Sequence, residues 1–166
     1  MLLRKILVIW FLTINLLAYS QTDQNFCIKF NKMVIQGESN IEKFTLYYTN
    51  DSDTSVNEIP ISKKDNYYIF NIPVNNIKSG KVYIESDFRK LIRAQDYPYI
   101  QLGIDSTQIK SLREGNRIIV LIKIADVENS YSINFVLEQE NEFRCSINGQ
   151  VELSLNDFNL ECYSKF

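Results

Sequence analysis

From Phe143 to Leu155 the chain alternates without exception. Phe143, Cys145, Ile147, Gly149, Val151, Leu153 and Leu155 fall on one side, and Arg144, Ser146, Asn148, Gln150, Glu152 and Ser154 on the other. An uninterrupted period of two describes a strand with one face on an apolar interior and one in water. Such a segment spans roughly 40 Å when straight, well beyond the usual strand of about five or six residues. Gly149 in its middle predicts a bend or bulge. A chain that carries one such ribbon must find something to cover its greasy side.

The neighbouring segments repeat the pattern. Tyr131, Ile133, Phe135 and Leu137 alternate with Ser130, Ser132 and Asn134, with Val136 the exception, and Glu138-Gln139-Glu140-Asn141 reads as a polar hairpin turn. Arg117 to Ala125 is apolar on both faces except at Lys123, with Ile118, Val120, Ile122 and Ile124 the stronger face. Asp126 to Asn129 is the expected turn after it. Tyr99 to Ile109 carries Ile100, Leu102 and Ile104 on one side, and Gly115-Asn116 helps the chain turn back. Four long strands with short connections predict an antiparallel meander.

The first half is less regular. Met33 to Gln36 and Ile41 to Tyr48 flank Gly37-Glu38-Ser39-Asn40, and Asn50 to Thr54 is polar. Tyr67 to Val74 and Lys81 to Glu85 read as strands. One helix is predicted over Ser86 to Gln95, capped by Ser86, with Asp87 at its positive end and Phe88, Leu91, Ile92 and Gln95 near one face. Tyr97-Pro98 stops it and starts the next strand. One short helix cannot cover so much sheet. The remaining solutions are a second sheet or closure into a barrel. Closure leaves an elongated interior, filled either by side chains or by an apolar ligand, and periodicity does not choose between them.

The amino terminus reads as an address. Arg4 and Lys5 precede an apolar stretch from Ile6 to Tyr19, and Ala18-Tyr19-Ser20 sets small residues at the positions required for a cut before Gln21. This is the pattern of a cleaved secretory signal peptide over 1–20. The stretch is short for a bilayer span of about 20 apolar residues, and polar Gln21-Thr22-Asp23-Gln24 follows at once. The expected product, 21–166, is a single domain, periplasmic or secreted, and not an integral membrane protein. Losing Arg4 and Lys5 takes Lys plus Arg from 18 to 16 against 20 Asp plus Glu, a net charge of −4. That balance offers no footprint for nucleic acid or an anionic membrane surface.

The 166 residues include no His. Ser–His and Cys–His nucleophile pairs and imidazole metal ligands are therefore excluded. Asp87, Asp96, Asp105, Asp126 and Asp157 show no acid–base or metal-ligand spacing, so no catalytic residue, metal site or cofactor is assigned. Cys27, Cys145 and Cys162 form no Cys-x-x-Cys, and their pairing does not follow from sequence. Cys145 reads as a small buried hydrophobe. The Asn50-Asp51-Ser52 sequon carries meaning only in a host that glycosylates it.

Gly37-Glu38-Ser39-Asn40-Ile41-Glu42-Lys43-Phe44, then Asp87-Phe88-Arg89-Lys90-Leu91 with Tyr97-Pro98-Tyr99-Ile100, then Leu155-Asn156-Asp157-Phe158-Asn159-Leu160, resemble in order and spacing the YceI-like family in its short secreted Bacteroidetes form. The resemblance covers about residues 30–166. It implies an all-β, extended antiparallel lipocalin-like β-barrel with one short α-helix, whose characterised members hold a polyisoprenoid chain. Physically the motifs read as structural: Gly37 permits a turn, Phe44 packs inward, and Phe158 and Leu160 plug one end. Members usually continue with a further strand. Here the chain stops at Tyr163-Ser164-Lys165-Phe166, so the barrel is expected to be incompletely closed, with the C-terminal sheet edge open or paired with a protein partner or a second copy.

Two functional readings follow. In the first, a non-enzymatic binding protein holds an apolar, isoprenoid-type lipid against Phe70, Ile72, Ile100, Leu102, Ile122, Ile133, Phe135, Ile147 and Val151. Each CH₂ removed from water contributes about 0.8 kcal/mol. Lys63, Lys64, Arg89, Lys90 and Arg93 would be the head-group contacts. In the second, the interior is filled by side chains and the protein is a secreted protein–protein or envelope interaction module. Tyr47, Tyr67, Tyr83 and Tyr99 are then expected on outward faces, where tyrosine serves protein or glycan contacts.

Overall fold

The computed structural model describes residues 9–22, 25–38, 43–49, 61–64, 66–110, 117–141 and 144–161. The chain is all-β and antiparallel. In chain order its strands are β1 (Ile9–Thr22), β2 (Asn25–Glu38), β3 (Lys43–Thr49), β4 (Ile61–Lys64), β5 (Tyr67–Pro73), β6 (Tyr99–Asp105), β7 (Arg117–Ile124), β8 (Val127–Asn141) and β9 (Arg144–Ser154). They form one sheet in the order β3-β2-β1-β9-β8-β7-β6-β5-β4. The predicted meander is present: β6, β7, β8 and β9 are successive antiparallel neighbours.

Strand β1 is built from the segment read as the leader. It lies between β2 and β9, antiparallel to both, pairing from Phe11↔Gln36 to Thr22↔Asn25 on one side, with register shifts after Asn15 and after Ser20, and from Ile9↔Ser154 to Tyr19↔Arg144 on the other. The last strand is consequently not an edge, contrary to the expectation of an open C-terminal margin. The edges are β3 and β4. No ladder joins them among the described residues. Instead, Tyr47 of β3 exchanges two backbone hydrogen bonds, at 2.6 and 2.8 Å, with Lys78, which follows β5. The two ends of the sheet are thereby brought together without closing the strand ladder.

One face of the sheet carries the core. Leu46 and Tyr48 of β3, Phe70 and Ile72 of β5, Ile100, Leu102 and Ile104 of β6 and the alternate residues Ile118, Val120, Ile122 and Ile124 of β7 are all buried. Ile133, Phe135, Ile147 and Leu153 continue that face through β8 and β9, while Val136, out of phase in the sequence, is exposed. Each such side chain stabilises the fold by about 1.5–3 kcal/mol through burial. Phe158 and Leu160 are buried at the end of the chain, as read from the sequence. Phe158 closes, and Leu160 follows, a 3-10 turn, Leu155–Phe158, which Ser154 opens by accepting from the Asn156 N–H and which Asn159 ends in the left-handed region.

The helix differs from its prediction. Helix α1 runs Val82–Leu91, so the segment read as a short strand is its first turn, and Ser86 lies inside it. The tertiary context overrides the β propensity of Val82, Tyr83 and Ile84. Its start is organised by Ser79 and Glu85. The Ser79 Oγ accepts from the Lys81 N–H at 3.0 Å, and the Glu85 carboxylate accepts from the N–H groups of Ser79 and Gly80 at 2.9 and 3.3 Å. Phe88 and Ile92 carry the buried side. A second helix, α2 (Ser106–Lys110), occupies what reads as the end of the Tyr99 strand. Within it, the Gln108 side chain bonds both backbone groups of Ile119, at 2.7 and 3.4 Å, as a strand would.

The two glycines singled out by sequence serve packing. Gly37 lies in β2 opposite Phe44, and a Cβ there would collide with the Phe44 ring. It is therefore not a turn residue, and Phe44 is half-buried across it rather than fully inside. Gly149 interrupts neither of the ladders it joins, so no bulge forms. A Cβ there would come within 2.8 Å of Ile133 Cγ2. Glu138 to Asn141, read as a turn, continues β8.

Candidate functional site

The sheet interior holds the predicted lining residues. Phe70, Ile72, Ile100, Leu102, Ile122, Ile133, Phe135 and Ile147 are buried on the inner face, and Val151 is half-buried. Phe70, Leu102, Ile133, Phe135 and Ile147 surround one internal cavity with Ile104, Ile118, Val120 and Gly149. No polar side chain lines it. Its volume is about 20 Å³, close to the minimum for a single water molecule, whereas an apolar cavity of about 150 Å³ is what holds one benzene. The ring of Phe70, wholly buried, is a large side chain on this wall.

Of the charged residues offered as head-group contacts, the three whose side chains are described, Arg89, Lys90 and Arg93, are each engaged with a neighbour of their own. Arg89 and Lys78 pair with Glu85 at 3.6 and 3.7 Å, and Lys90 pairs with Asp87 at 3.6 Å. Glu85 is held below the usual carboxylate range, first by the Ser79 N–H it accepts from and then by Lys78, Gly80 and Arg89. The guanidinium of Arg93 lies over the Tyr97 ring, 4.9 Å from its centroid. The side chains of Lys63, Lys64, Cys27 and Cys145 lie outside the described residues, as do Cys162, Gly115-Asn116 and the Asn50 sequon.

The candidate carboxylates are likewise dispersed among structural roles. Asp105 accepts from the N–H and hydroxyl of Thr107, both at 2.8 Å. Asp126 pairs with Lys123 at 3.4 Å. Asp157 accepts from the Tyr131 hydroxyl at 2.9 Å. Among the described residues no three His, Cys, Asp or Glu side chains gather in a metal-binding group. Among them, too, no helix is long and apolar enough to cross a membrane.

A second cavity, which the sequence reading did not anticipate, opens on the surface. It measures about 170 Å³ and is lined by Asp96, Tyr97, Pro98, Tyr99, Gln101, Lys123 and Ala125. The signal for it lies in Tyr97-Pro98-Tyr99, which reads in sequence as a helix exit with Tyr99 on an outward face. What sequence could not supply is the β7–β8 turn brought alongside, with Ala125 and Lys123. Tyr47, Tyr83 and Tyr99 are exposed, at 46, 57 and 44% respectively, and Tyr67 is half-buried.

Comparison with known protein families finds no match, and no curated protein matches the chain.

Proposed function

We propose that the protein is a non-enzymatic interaction module of the cell envelope, binding its partner on the outer surface around an interior filled by its own side chains. The observation that carries this reading is that the cavity on the inner face, among the described residues, measures only about 20 Å³, too small for even one ring of hydrocarbon. The exposed Tyr47, Tyr83 and Tyr99 supply an outer surface of the kind that serves recognition. The Tyr47–Lys78 link supports an incompletely closed, lipocalin-like curl of the sheet, and with the three quoted motifs it favours a YceI-like relationship.

The competing reading, an isoprenoid held inside, requires the walls at Phe70 and Phe135 to move apart. Organic extraction of purified protein followed by mass spectrometry separates the two. The filled interior predicts no stoichiometric apolar molecule, and one lipid per chain would overturn it. The envelope address rests on the basic start, apolar core and small-residue cut. Intact mass and N-terminal sequencing of protein from the native host check it, with Gln21 expected as the first residue.

A further inference from the structure

We propose that the cleft beside Tyr97 and Tyr99 is a subsite for a neutral saccharide ring. This names the class of partner for the surface-binding reading above and rests on it. The cleft's 170 Å³ is one six-membered ring's worth of space, by comparison with the roughly 150 Å³ that accepts benzene. Its lining sets an exposed aromatic, Tyr99, and Tyr97, whose ring carries Arg93, beside a carboxylate, a primary amide and an ammonium from Asp96, Gln101 and Lys123. A sugar ring presents a C–H face to an aromatic and hydroxyls to groups that both donate and accept, and this set supplies each.

The charges argue against an ionic ligand. Asp96 and Lys123 are of opposite sign. Lys123 is further neutralised by Asp126 at 3.4 Å, and the Arg93 guanidinium is spread over the Tyr97 ring. A phosphate or a polyamine would meet no net counter-charge. A peptide adding as a strand is also disfavoured, because Gln101 and Lys123 on the cleft wall are already a ladder pair between β6 and β7. Recognition must therefore run through side chains.

The cleft is built at a cost in backbone conformation. Ala125 in its lining and Arg93 at its border both have φ near 54°, in the left-handed region unfavourable to residues with a Cβ. Arg93 accepts, through its carbonyl, the N–H groups of Asp96 and Tyr97, both at 3.0 Å, and so sets Tyr97 into the wall. The Gln101 amide is oriented by donating to Asn71 Oδ1 at 2.7 Å. Two non-glycine residues held in this region at one cleft, with an amide fixed beside them, form a preorganised site.

The test is an NMR titration of the isotope-labelled full chain with maltose and with N,N′-diacetylchitobiose, and with glucose 6-phosphate as the charged comparison. Either neutral sugar is expected to shift resonances of residues 96–101 and 123–125. Tyr99→Ala should weaken that binding at least tenfold while leaving the thermal midpoint unchanged, and Val136→Ala, exposed on β8 and outside the cleft lining, should leave the affinity unchanged. No shift with either neutral sugar, undiminished binding in Tyr99→Ala, or tighter binding of the phosphorylated sugar would each overturn the proposal. Lipid extraction tests the surface-binding reading separately. No lipid together with no sugar binding removes this site alone, whereas an extracted lipid removes the broader reading whatever the titration gives.

Discussion

The Tyr131 hydroxyl donates to Asp157 across 2.9 Å while its ring stacks on Phe158 with centroids 6.1 Å apart. One side chain of β8 thus clamps the C-terminal turn twice, and Asn129 adds a third tie by donating to the Asp157 carbonyl at 2.6 Å. Burial, then the Asp157 carboxylate, pushes the Tyr131 phenol above its ordinary value. The folded phenol therefore keeps its proton to higher pH than the unfolded one. The stability it contributes is complete below about pH 10 and is lost as pH rises beyond it. Tyr131→Phe should cost about 1 kcal/mol at neutral pH and should show a shallower alkaline loss than the parent. Urea denaturation of both proteins at pH 7 and above pH 10 checks this. Parallel alkaline arms would show that the pair is not responsible.

Phe70 is one of two phenylalanines on the wall of the internal cavity and is completely buried. Phe70→Ala should destabilise by about 3–5 kcal/mol, and the enlarged cavity should take up xenon. If that variant does not fold, Ile147→Val, on the same cavity, should cost about 0.5–1.5 kcal/mol. Thermal denaturation reads both. A Phe70→Ala protein as stable as its parent would mean that the interior is not close-packed.

Gly37 and Phe44 form a cross-strand pair in which the ring occupies the space of the missing Cβ. Gly37→Ala should therefore destabilise when Phe44 is present. In a Phe44→Ala background it should become neutral or stabilising by about 0.5–1 kcal/mol, since Ala is favoured over Gly in a regular strand. A double-mutant cycle on denaturation free energies measures the coupling. Additive effects would place the ring elsewhere.

Glu85 holds the start of α1 through the N–H groups of Ser79 and Gly80, and its pKa is lowered mainly by the Ser79 bond. A depressed carboxylate contributes stability that is present above its unfolded value and is lost as pH falls through its folded value. Acid titration below about pH 4.5, near the unperturbed carboxylate value, should fray the helix. Glu85→Gln should show the weakened state already at neutral pH and a flatter acid limb by circular dichroism. An unchanged limb would assign acid sensitivity to another group.

The second half of the fold was legible because strand periodicity is a local signal. Ile118, Val120, Ile122 and Ile124, the stronger face of their segment, and Ile133 and Phe135, which alternate with Ser132 and Asn134, lie buried in the structure. Boundaries failed where long-range contacts decide. Val82 to Glu85 has strand-like composition, but Glu85 reaches back to Ser79 and starts a helix there. Gly149 looked like a bend because glycine permits one, and Ile133 on the neighbouring strand gives it a packing role instead. The nine lining positions were found on the inner face or near it, yet alternation says nothing about how much room lies between them. The cleft was invisible for a related reason: Tyr97 and Ala125 are far apart in the chain and meet only through the β6–β7 ladder.

Strand β1 is an inner strand, third from one edge of the sheet, so a protease acting before Gln21 would remove all of it but Gln21 and Thr22. Its two flanking neighbours, β2 and β9, both run against it and therefore run the same way. If they then zip together, they make a parallel junction in an otherwise alternating sheet. Cleavage there would leave eight strands, with β2 and β9 the pair that loses a common neighbour.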